Sequence, residues 1–120
     1  MELEGLKVWQ PARKFRIDVR ELVKSCPTEE KFRLTDQILR WSRSISANIA
    51  EGYGRFHYQE NIQFCCMARG SLIEMLDHLY VSLDQNYITQ VEFDKSKEAF
   101  NELKKVLSGF IAYLQKRKQS

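Results

Sequence analysis

Four stretches of this chain carry apolar residues at steps of three and four, and no stretch sustains the alternation of a strand. The first is Val8, Ala12, Phe15, Val19 and Leu22. The second is Leu34, Ile38, Trp41, Ile45 and Ile49. The third is Ile62, Cys65, Ala68, Leu72, Met75, Leu79 and Ser82 or Leu83. The fourth is Ser96, Phe100, Leu103, Leu107, Phe110 and Leu114. That spacing gives each helix one apolar stripe, and a striped helix must bury its stripe against another element. Short connections make successive helices antiparallel. The expected fold is therefore all-α, an up-down-up-down antiparallel four-helix bundle. It is expected as a single domain over 1–120, with helices at about 8–25, 30–53, 57–86 and 90–116.

Residues between the stripes supply the stops and starts. Pro11 is tolerated only near a helix start, where its missing N–H is harmless. Ser25-Cys26-Pro27 ends the first helix, because the residue before proline is pushed out of the helical region. Thr28-Glu29-Glu30 reads as a cap followed by acids. Gly52 or Gly54 is expected to end the second helix by adopting a left-handed turn. Thr89 with Glu92 three residues on forms a capping box for the fourth. The basic tail QKRKQS is expected to fray.

With 43% hydrophobic and 29% charged residues, the chain has the balance of a soluble domain. A length of 120 residues allows a core without metal or disulfide support. No apolar run reaches the ~18–20 residues of a membrane span. MELEGLKVWQ lacks the apolar run of a signal peptide. Three cysteines, Cys26 and the adjacent Cys65 and Cys66, make a poor disulfide framework. These features predict a reducing, cytoplasmic location. Charge is unevenly spread: residues 1–56 hold 11 basic and 8 acidic side chains, residues 57–94 hold 1 and 6, and residues 95–120 hold 7 and 2. The order is basic, acidic, basic.

Catalytic and metal chemistry find little support. A di-iron bundle needs Glu-x-x-His pairs on two helices, and here only Glu74 and His78 approach that pattern, at spacing four. Cys65 and Cys66 diverge by ~100° on a helix, which places Cys65 in the core and Cys66 at its flank. His57 and His78 read as surface or helix-end residues without a nucleophile beside them. No cofactor, no metal site and no enzymatic activity are expected. Gly-Tyr-Gly at 52–54 follows a helix, whereas phosphate loops precede one; with Arg55 close to the next helix, a weak anion site stays open there. Asn48 and Glu51 share a helix face. In a hairpin turning near residue 55, residue 48 would lie opposite ~62, and Arg69 would lie level with Arg40 or Trp41. Two readings remain: helix-end and surface hydrogen bonds, or polar specification of a subunit joint.

LKVWQ at 6–10, SISANIAEGYGR at 44–55 and ARGSLIE at 68–74 resemble the four-helix-bundle family encoded in intervening sequences of bacterial 23S ribosomal RNA genes. The resemblance spans nearly the whole chain in order and spacing. It departs at Ser46-Ala47, where the family often has Pro-Ser, and at Pro11. The resemblance implies a cytoplasmic bundle that assembles into a five-fold ring, with no established enzymatic activity. It also implies a structural signature: Asn48, Glu51, Gly52 and Gly54 order a turn or subunit joint, and Arg69, Ser71 and Glu74 order the neighbouring helix. A related accessory protein of diversity-generating retroelements forms a similar basic ring that binds nucleic acid and a reverse transcriptase.

The chain's own charges suit such a role. Arg13, Arg16, Arg20 and Lys24 fall in one stripe of the first helix. Arg40 and Arg43 follow on the second, and Lys104 and Lys105 lie on the last. A ring would repeat these phosphate contacts. The expected function is a ring-forming, non-enzymatic RNA-binding accessory protein, homopentameric on the resemblance. The alternative is a scaffold for another protein, built on Tyr53, Phe56 and Tyr58.

Overall fold

The computed structural model describes residues 2–119. Helix α1 spans Trp9–Leu22, α2 Leu34–Tyr53, α3 Tyr58–Asp84 and α4 Gln90–Gln119, and the described residues include no strand. Each helix packs on the next and α4 returns to α1, which leaves α1 diagonal to α3. The bundle measures 50 × 24 × 21 Å. The expected all-α four-helix architecture holds.

The four stripes meet in one core. Phe15, Ile38, Leu72 and Leu107 are buried, together with Ile45, Ile49, Met75 and Leu79. Phe93 and Ile111 extend the α4 contribution beyond the expected stripe. Val23 is buried as well. His78 corrects the reading of a surface histidine: it is only 7% exposed, with its Nε2 3.5 Å from Glu74 and without a hydrogen bond.

Helix ends follow local chemistry, with two corrections. Cys26 is extended before Pro27, as steric clash with the ring requires. Thr28–Glu30 forms a separate 3-10 turn, and α2 begins only at Leu34. The acids of that turn have no apolar face to bury, and Phe32 beyond them is 86% exposed. Helical packing therefore starts where the stripe starts. The second correction concerns the glycines, none of which has positive φ. Gly54 keeps a right-handed conformation at φ −75°. Gly52 lies inside α2, where an added Cβ would stand 2.6 Å from Asn61 Oδ1 and 3.1 Å from both the Asn61 carbonyl and Phe64 Cβ. Its role is close approach of α2 to α3.

The left-handed residue is Asn86, at φ 62°. The Tyr87 amide donates to the Ser82 carbonyl at 2.9 Å and the Asn86 amide to Leu83 at 3.0 Å. That is a Schellman closure of α3, with asparagine in the place glycine usually takes. Next, the Thr89 amide donates to Glu92 Oε1 at 2.8 Å and the Glu92 amide to Thr89 Oγ1 at 3.1 Å, completing the capping box. The tail continues as helix to Gln119.

Candidate nucleic-acid interface

The surface of interest lies along α1 and α2. Arg16 is half-buried between them and donates to Ser46 Oγ at 2.8 Å. This contact fixes the antiparallel register. Four residues along α1, Arg20 comes level with Ser42 and Arg43 of α2. Arg13 stands with its guanidinium 5.9 Å from the Trp9 ring. Arg13, Arg20 and Arg43 are exposed, and among the described residues none has a carboxylate in ion-pair range.

Other members of the expected set are differently placed. Lys24 pairs with Glu21 at 2.8 Å and Arg40 with Asp36 at 3.6 Å. Lys104 and Lys105 are exposed on α4, which packs on α1 and α3 and lies across the bundle from α2. They cannot share one short ligand with Arg40 and Arg43 on a single subunit.

The polar seam is built within one chain. Asn48 donates to the Ser44 carbonyl at 2.9 Å and to Ser44 Oγ at 3.0 Å. Ser44 Oγ lies 3.0 Å from Ser71 Oγ, and Ser71 also donates to the Met67 carbonyl at 3.1 Å. Ser44 against Ser71 sets the hairpin register about five residues from the expected one, so Asn48 comes level with Met67 instead of Ile62. Sequence reasoning missed Ser44 as the bridge and Ser46 as the Arg16 acceptor. The small residues Ser44, Ser46 and Ala47 flanking the core Ile45 were the available signal.

The remaining signature residues stand apart from that seam. Glu51 pairs with Arg55 at 3.3 Å, and Arg55 also reaches Glu60 at 3.3 Å. Arg69 is exposed, 3.9 Å from Cys66 Sγ, and Glu74 lies beside His78. The amides of Gly54 and Arg55 donate to the Ala50 and Gly52 carbonyls. Gly-Tyr-Gly therefore offers no cradle of free amides. Cys65 is buried, and burial pushes its thiol up to about 11. Among the described residues no three His, Cys, Asp or Glu side chains converge to hold a metal, and no helix is long and apolar enough to cross a membrane.

Residues 4–109 match the family described as 23S rRNA-intervening sequence protein. The chain belongs to that family. It is similar to a crystal structure from Bacteroides thetaiotaomicron VPI-5482, described as a protein with unknown function from the S23 ribosomal protein family. Identity is 26%, 88% of this chain and 95% of that chain are covered, and the TM-score is 0.80. A search of curated proteins gives no match.

Proposed function

We propose that this intervening-sequence protein is a non-enzymatic, ring-forming RNA-binding accessory protein. The observation that carries the reading is the surface shared by Arg13, Arg20 and Arg43. Among the described residues these three guanidinium groups have no carboxylate within ion-pair range, although the Glu21 carboxylate feels the Arg20 charge, while Lys14, Lys24 and Arg40 nearby are ion-paired. Unpaired guanidinium groups suit phosphate oxygens, and contacts of this type position a backbone without reading sequence.

Closure into a five-fold ring belongs to the same reading, with the number taken from the family resemblance. The outer face of α3 supports assembly. Met67 and Ile73 are 55% and 46% exposed on either side of Gly70, where an added Cβ would meet nothing within 4 Å. Glu74 and Asp77 on that helix are exposed acids that a basic face of the next copy can meet. Such a head-to-tail contact closes when the rotation per subunit divides a full turn. Ile73 is thus available to a second copy, whereas Val23, just after α1, is taken by the core.

The test is the double variant Arg20→Glu/Arg43→Glu, titrated with duplex RNA in low salt. The expected result is weakened binding with unchanged helicity and oligomer mass. Unchanged affinity contradicts the reading. So does a fall to monomer mass, which would make these arginines a subunit contact.

A further inference from the structure

The turn between α2 and α3 carries Phe56, which is 94% exposed and the most exposed large apolar side chain among the described residues. The turn itself is anchored. Arg55 is ion-paired to Glu51 of α2 and Glu60 of α3, its guanidinium lies 4.9 Å from the Phe64 ring, and its amide donates to the Gly52 carbonyl. Phe56 is thus held outward by a braced turn while its ring contributes almost no burial to the fold. His57 meets it edge-on, with ring centroids 5.2 Å apart and planes at 86°.

The last turns of α4 reach the same end of the bundle. Lys118 donates to Gln59 Oε1, and Arg117 is hydrogen-bonded to Tyr58. Between the helices runs an open groove of about 470 Å³ lined by Gln59, Ile62, Gln115, Lys118 and Gln119. Lys116, Arg117 and Lys118 lie in the last turn of α4 at this end, and no acid follows Glu102. One solvated aromatic face, a groove rimmed by amides and a run of cations form the combination that engages unstacked bases and their phosphates. The amides and cations beside Phe56 and the 42%-exposed Tyr58 favour a ligand with base edges and phosphates over an apolar peptide anchor.

We infer that this end of the bundle binds unpaired nucleotides of an RNA strand. Phe56 stacks on one base, the Gln59 and Gln115 amides meet the edge of a neighbouring base, and Lys118 meets a phosphate. The inference rests on RNA as the ligand and adds the strand state that this site selects. It is separate from the α1–α2 arginine surface, which meets backbone in either state.

The experiment compares a short labelled single-stranded RNA with the same strand annealed to its complement. Both are titrated with the full chain and with Phe56→Ala, Phe56→Trp and Lys118→Ala. Phe56→Ala is expected to weaken single-strand binding roughly 5- to 150-fold, the loss of one stacked base, and to leave duplex binding unchanged. Phe56→Trp should retain single-strand binding. Lys118→Ala should lower the salt slope for single strands by about 0.7, one phosphate contact, whereas Phe56→Ala should leave that slope intact. Equal loss for both RNA forms, or no loss for the single strand, overturns the inference while the arginine surface stands. A Phe56→Ala change in oligomer mass also overturns it, since Phe56 would then be a contact with a second copy. Binding of the unsubstituted chain to neither RNA overturns both readings. Because Phe56 is solvated, unchanged helicity of the alanine variant is the expected folding control.

Discussion

Two glycines on facing helices have opposite surroundings. Gly52 is buried against α3, and a Cβ there would press on Asn61 and Phe64 at 2.6–3.1 Å. The Asn61 carbonyl and the Phe64 Cβ cannot yield without moving α3. Gly52→Ala should therefore destabilise the fold by about 1–3 kcal/mol in chemical denaturation, after overpacking outweighs the gain in helix propensity. Gly70 is exposed mid-helix with nothing within 4 Å. Gly70→Ala should stabilise an isolated subunit by about 1 kcal/mol. If it weakens the oligomer instead, as light scattering would show, Gly70 marks close approach of a second copy. Cys65 supplies a third residue-scale expectation. Its thiol is buried and pushed up to about 11, so alkylation of the native protein followed by mass spectrometry should find Cys65 modified last. Early modification of Cys65 would place it outside the core.

At the scale of helices, the core depends on one contribution from each stripe. Leu72 lies fully buried in α3 among the other three helices' stripes. Leu72→Ala should cost about 2–5 kcal/mol through lost burial plus cavity, and a loss no larger than that of a surface control would contradict this packing. The four stripes were legible because a helix core repeats every three or four residues. The Thr89–Glu92 box was legible because its chemistry is local. Other features depend on tertiary packing. The register of α2 on α3 is set by Ser44 meeting Ser71, 27 residues away, and counting back from a turn misplaces it. Gly52 carries the same letter whether it ends a helix or admits a neighbour, and only α3 distinguishes the two. Arg16 belongs to the basic stripe by spacing, yet Ser46 draws it into the α1–α2 joint. His78 is buried because its helix face turns inward near the α3–α4 end, which charge pattern alone does not reveal.

The whole molecule is a four-helix bundle with an unevenly charged surface. Light scattering at micromolar concentration in moderate salt should give a mass near five times the 14.2 kDa chain; a mass near one chain would remove the ring and the multivalency it provides. The central claim is that RNA is held by its backbone. The most direct measurement is the affinity of the unsubstituted protein for duplex RNA at two salt concentrations. If repeated arginine surfaces neutralise several phosphates, affinity should fall by at least about 100-fold between about 50 and 200 mM salt, with a linear log–log slope. No binding at the lower concentration, or an affinity that does not change with salt, would contradict the account.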